Sequence, residues 1–160
     1  MPTSMPDIAN QTAAQTEGSL DRVGMGNIEM PVMVAAKDEA ERVVSAHIDA
    51  FVNLNDPKAK GIHMSRLYLL LDDLASNNTL TYQALTNLLN EFISSHEDLS
   101  DTALVKFNFN YPIRREALIS GKKGWRVYPV TIIGKIEQGH LDIELCVDIL
   151  KQTLHSYKNP

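Results

Sequence analysis

The amino-acid sequence predicts an α+β protein: an antiparallel sheet with two helices packed on one face. Three observations carry that expectation. Residues 41–54, 103–111 and 141–149 alternate apolar and polar side chains with a period of two, as half-buried strands do. Residues 64–76 and 81–95 instead space their large apolar side chains by three and four, as amphipathic helices do. The two helical stretches follow each other directly, with strands before and after, so both helices fall on one side of the sheet.

Each element has a local reason. Residues 1–19 are rich in Ala, Thr, Gln and Ser and lack periodicity, so a flexible N-terminal tail is expected. The run Leu20-Asp21-Arg22-Val23-Gly24-Met25-Gly26-Asn27 carries turn chemistry around two glycines. Residues 28–36 then read as a short strand, with Pro31 pointing to a sheet edge. In 41–54, Val44, Ala46, Ile48, Ala50, Val52 and Leu54 share one face, while Ser45, His47, Asp49 and Asn53 share the other. Asn55-Asp56-Pro57 ends that strand.

The first helix carries the stripe Leu67, Leu70, Leu71 and Leu74, with Ser65 as its expected N-cap and Asn77-Asn78 as its stop. The second carries Leu85, Leu88, Leu89 and Phe92, with Thr79 or Thr81 as cap. Ala103, Val105, Phe107, Phe109 and Tyr111 form the inner face of the next strand. Residues 112–123 read as a basic loop or strand extension, and 125–136 as a strand in which Pro129 marks a bulge or an edge. After a turn at 138–140, Leu141, Ile143, Leu145, Val147 and Ile149 face inward, and Asp142, Glu144, Cys146 and Asp148 outward.

Composition narrows the function classes. At 160 residues the chain is one domain, large enough for a real core. A net charge of −5 disfavours nucleic acid as a partner. Its single cysteine, Cys146, allows neither an internal disulfide nor a Cys-rich zinc site, which fits a reducing cytoplasm. No apolar run is long enough for a membrane span, and the start lacks the layout of a signal peptide.

The stretch Lys60-Gly61-Ile62-His63-Met64-Ser65-Arg66-Leu67-Tyr68 sets an imidazole, a hydroxyl and a guanidinium at a helix start. Backbone N–H groups there attract anions, and a guanidinium pairs with phosphate oxygens, so His63, Ser65 and Arg66 are candidate contacts for a phosphorylated ligand. The plainer alternative is that Ser65 only caps the helix and Arg66 is a surface charge. Arg114, Arg115, Lys122 and Lys123 fit a solvated loop better than a triphosphate steering patch. Asp142, Glu144 and Asp148 fit a solvated strand face better than a metal site. Those carboxylates raise the pKa of Cys146 and argue against a nucleophilic thiol. His47, His96 and His140 show no ligand spacing and receive no role.

Gly61-Ile62-His63-Met64-Ser65-Arg66 resembles the G-x-H-M-S-R motif of the type IB GTP cyclohydrolases. Met5-Pro6-Asp7-Ile8-Ala9-Asn10-Gln11, Leu20-Asp21-Arg22-Val23-Gly24 and Gly124-Trp125-Arg126-Val127-Tyr128-Pro129-Val130 are similar to other segments of that family, in the same order. The resemblance spans residues 5–150. It implies a tunnelling-fold module over residues 20–150, two strands, two helices and two strands, that assembles into barrels as a homo-oligomer. It implies conversion of GTP and water to 7,8-dihydroneopterin triphosphate and formate, the first step of tetrahydrofolate-type biosynthesis, with His63, Ser65 and Arg66 contacting substrate. It also implies a divalent metal (zinc, manganese or iron) that activates water.

In the family, a Cys-Pro-Cys segment and a later histidine and glutamate supply that metal site, and a second module follows. Here residues 151–160 form a divergent C-terminal tail without Cys-Pro-Cys, so no metal ligand maps onto this chain, Cys146 included. The departure implies a truncated or frame-shifted product. Two alternatives stand beside the active enzyme. One is a catalytically inactive remnant that only self-associates; the other is a different tunnelling-fold enzyme on a pterin or deazapurine substrate.

Overall fold

A strand whose every second residue is apolar must bury one face, and β2 (Arg42–Leu54) does so along its length. In the computed structural model, which describes residues 20–59, 61–96 and 98–149, it is flanked by β1 (Leu20–Val34) and β3 (Thr102–Glu116). Next in the sheet come β4 (Lys123–Glu137) and β5 (His140–Val147), giving the order β1-β2-β3-β4-β5 with every neighbour antiparallel. Between β2 and β3 the chain forms α1 (Met64–Asn77) and α2 (Tyr82–Ser94). This is the α+β, helices-on-one-face arrangement of a tunnelling-fold module. Both expected tails, 1–19 and 151–160, lie outside the described residues.

Register explains the core. Ile48 stands opposite Phe107, Phe107 opposite Ile132, and Ala50 opposite Val105, so the apolar positions of successive strands line up. Leu67, Leu71 and Leu74 of α1 and Leu85, Leu88, Leu89 and Phe92 of α2 close over them. α1 lies against β1, and α2 against β3 and β4. At Gly134 the approach is close: a Cβ there would stand 3.0 Å from Leu89 Cδ1 and 3.1 Å from Leu85 Cδ2. The linker between the helices joins the sheet edge, since Leu80 N–H donates to Met33 O at 2.7 Å and so partly covers β1.

Four local expectations are corrected or narrowed. First, residues 20–27 are strand, not turn. The glycines serve a bulged strand, with register breaks between Leu20 and Val23 and between Met25 and Ile28. Asn27 takes φ 54° there, and its N–H is held by Asp49 Oδ1 at 2.7 Å. Second, Ser65 is not the N-cap of α1. His63 is, and no side chain caps that end. Ser65 lies inside the first turn, whereas Thr81 does cap α2, accepting from Ala84 N–H at 3.1 Å. Third, residues 112–123 divide between the two forms expected of them: 112–116 and Lys123 extend the strands, with β3 and β4 pairing from Thr102 opposite Glu137 out to Glu116 opposite Lys123. Only a short turn at 117–122 remains, closed by Ala117 N–H to Lys122 O at 2.9 Å.

Fourth, Pro129 makes no bulge. It pairs in register with Asn110, and its carbonyl accepts from Asp148 N–H at 2.9 Å, just past the last β4–β5 pair at Val147. N–H and C=O of one strand residue point the same way, so the missing donor falls beyond the end of the β5 ladder.

Candidate functional site

The start of α1 gathers the candidate residues. Gly61 and Ile62 lead out of the β2–α1 connection into His63, and Arg66 N–H closes the first turn on His63 O at 3.0 Å. His63, Ser65 and Arg66 are all exposed, so the three share one surface rather than a closed pocket. None of them lines the apolar groove or the polar hollows on the sheet and between the helices. Arg66 is not free to roam: its Nη1 donates to Ser95 O, the C-cap carbonyl of α2, at 2.7 Å. That anchor places a cation at a helix C-terminus, where carbonyls carry partial negative charge. Among the described residues, the rest of the guanidinium fork has no hydrogen-bond partner.

A fourth residue belongs to this cluster, though its sequence position gives no sign of it. His96 is buried, and its ring lies 6.4 Å from that of His63, centre to centre. Its Nδ1 stands 3.0 Å from Phe92 O and 2.9 Å from Ser95 Oγ, whose hydroxyl itself donates to Phe92 O. A carbonyl accepts only, so Nδ1 carries a proton in its contact with Phe92 O. Among the described residues, Nε2 has no partner. The one sequence signal available was that His96 ends an apolar helical stripe, four residues after Phe92.

The other candidates separate from this cluster. Arg114, Arg115, Lys122 and Lys123 sit on the β3–β4 arm and are exposed, Lys123 beside Glu116 at 3.8 Å. Asp142, Glu144 and Asp148 are exposed on or just past β5. Cys146 is exposed too, and hydrogen bonding to Glu144 at 3.3 Å pushes its thiol pKa up, with burial and the Glu144 and Asp148 charges adding to the rise. No group of three or more His, Cys, Asp or Glu among the described residues is placed to hold a metal. No helix among them is long and apolar enough to cross a membrane.

Fold and site together define a tunnelling-type module with a basic, imidazole-bearing helix start. Comparison with known proteins gives the family. A family model described as type I GTP cyclohydrolase folE2 matches residues 5–154, and the chain belongs to that family. It is 50% identical over 145 residues to the GTP cyclohydrolase FolE2 of Pseudoalteromonas translucida, across 91% of this chain and 48% of that relative. It is 42% identical over 145 residues to the FolE2 of Hydrogenovibrio crunogenus, across 91% of this chain and 46% of the relative. Against the FolE2 of Bdellovibrio bacteriovorus the identity is 42% over 138 residues, across 86% and 45%. The chain thus spans about half the length of the curated relatives it matches. The family name these matches support is FolE2; they carry no IB subtype.

Proposed function

We propose that this chain is the GTP-binding module of a GTP cyclohydrolase that converts GTP and water to 7,8-dihydroneopterin triphosphate and formate. The observation that carries the reading is the family match over residues 5–154, which includes the Gly61–Arg66 motif. The IB subtype rests on the resemblance of that motif together with residues 5–11, 20–24 and 124–130. The single, exposed cysteine fits a cytoplasmic setting.

In this reading the triphosphate meets the start of α1. Arg66, held from behind by Ser95 O, presents its remaining N–H groups to phosphate oxygens. The N–H end of the helix adds positive potential, although the Met64 and Arg66 N–H groups already bond to Ile62 O and His63 O, and Ser65 contributes an exposed hydroxyl donor. His63, at the N-cap, faces the same ligand and orients it by hydrogen bonding. The divalent metal implied by the family would activate water when bound. The described residues do not fit it, having no ligand group of three, so no step is derived through it.

A second reading has its own support. Leu145, Val147 and Ile149 are exposed on the inner face of β5 and just beyond, where with Phe109, Tyr128 and Val130 they line a groove of about 500 Å³. Such a face favours a module that associates with copies of itself without turnover. One assay separates the two. The purified chain is incubated with GTP and manganese, zinc or iron, then oxidised and read for pterin fluorescence. Fluorescence above the metal-only control supports the enzyme. None, with oligomers on a sizing column, supports the associating module.

A further inference from the structure

We propose that two copies of this chain join through the outer edge of the β3–β4 arm. Residues 123–127 of β4 add in parallel to residues 144–148 at the end of the partner's β5, and the partner's arm does the same in return. The inference deepens the self-association reading and does not depend on the nucleotide site.

β4 spans Lys123–Glu137, but β5 pairs with it only from Val130 to Glu137. Among the described residues, no strand lies beside the arm half of β4 on that side. Pro129 O accepts from Asp148 N–H, so Lys123, Trp125 and Val127, in step with Pro129, turn their N–H and C=O the same way. Leu145 and Val147, out of step with Asp148, turn theirs to the open side of β5. Such rows of unpaired donors and acceptors are templates for an added strand. The β1 edge is a poorer one, being broken twice in register and bonded at Met33 O by Leu80.

Charge selects the pairing. Residues 123–129 carry Lys123 and Arg126 and no acid, whereas residues 140–148 carry Asp142, Glu144 and Asp148. Either edge against its own copy would set like charges side by side, while the arm against β5 sets opposite ones. A half-turn about an axis normal to the sheet keeps inner faces together, makes arm and β5 parallel, and closes the pair with both arms engaged. Register follows from the known ladder, in which Glu144 stands opposite Ile133. With Lys123 opposite the partner's Glu144 and Trp125 opposite the partner's Cys146, the two β5 ends clear each other. Sliding the arm until Lys123 meets Asp142 would drive the two Asp148 residues into one place. On the inner face, Arg126 and Tyr128 then lie along the exposed Leu145, Val147 and Ile149, where an arginine stem covers apolar surface.

The test uses Cys146, the single cysteine of the chain. Within one copy it stands opposite Thr131, roughly 20 Å along β4 from Trp125, too far for a disulfide. Trp125→Cys is treated with oxidised glutathione at a concentration where the wild type sediments as a dimer. The expected product is a covalent dimer whose peptide map joins position 125 to Cys146, with none from Ile119→Cys at the arm tip. A charge-reversal series reads the same register. Lys123→Glu should raise the dimer Kd about tenfold at low salt, and adding Glu144→Lys should restore it. Lys123→Glu also loses the contact with Glu116, which Glu144→Lys does not repair, so recovery reports the contact between copies. A dimer in which position 125 does not bond to Cys146, or in which the two reversals add, overturns the inference and leaves self-association to another surface. A chain that is monomeric at every concentration overturns both. If Trp125→Cys does not fold, the charge series decides alone.

Discussion

Ser65 shows how little a residue type says until its position is known. A serine just before an apolar stripe is the expected cap, but the chain enters α1 two residues earlier, at His63. Ser65→Ala should therefore leave stability within about 0.5 kcal/mol in a urea melt, where removal of a true cap costs about 1 kcal/mol. Gly24 is the opposite case. A Cβ there would stand 1.9 Å from Ala50 O and 2.8 Å from Phe51 Cα, both backbone atoms, so β1 and β2 would have to part. Gly24→Ala should destabilise by about 3 kcal/mol or more by the same measurement. His63, Ser65 and Arg66 were legible as a cluster because they are contiguous. His96 was not, because its neighbourhood is made by the return of α2 toward the start of α1, a contact that no local pattern encodes.

The regular elements were legible wherever burial imposes a period. β2, the inner half of β3, α1 and α2 each bury one continuous face, and their apolar spacing follows from it. Where no helix covers the sheet, the signal fades: from Arg114 to Gly124 the β3–β4 arm carries charges on both faces and resembles a loop. The first half of β1 was hidden for another reason, since two register breaks destroy the alternation. Phe92→Ala in α2, whose ring is fully buried, should lower stability by about 3–5 kcal/mol.

The connection between α2 and β3 is tied to β2 through Asn53. Its side-chain nitrogen donates to Asp101 Oδ1 at 2.6 Å, and its Oδ1 accepts from the backbone N–H groups of Asp101 and Thr102 at 3.0 and 2.9 Å. Hydrogen bonds from Asn53, and then Asn55, hold the Asp101 carboxyl below the usual carboxylate range. A carboxyl whose pKa is depressed on folding adds stability above its unfolded pKa, and loses it as pH falls through the folded one. Melting temperature should thus decline below about pH 4, and less steeply in Asp101→Asn than in wild type.

At the scale of the molecule, the helices cover the sheet unevenly. They bury β2 and most of β3, while Leu145 and Val147 of β5 remain 64% and 49% exposed on the core-side face. These side chains keep the alternation of an inner face but have no layer above them, which is why their pattern alone overstated their burial. Lysine at both positions should leave the melting temperature close to wild type and shift a concentration-dependent sizing profile toward the monomer. A profile that does not move would assign self-association to another surface.

Arg66, anchored at Ser95 O, is the residue proposed to grip the phosphates of GTP. The most direct test is calorimetric titration of GTP into the purified chain and into Arg66→Ala, with a thermal melt of each. The predicted result is saturable binding that weakens about tenfold or more in the variant, as loss of a charge-assisted contact requires, at a nearly unchanged melting temperature. Equal affinity in the two proteins, or no binding to the wild type, would contradict it.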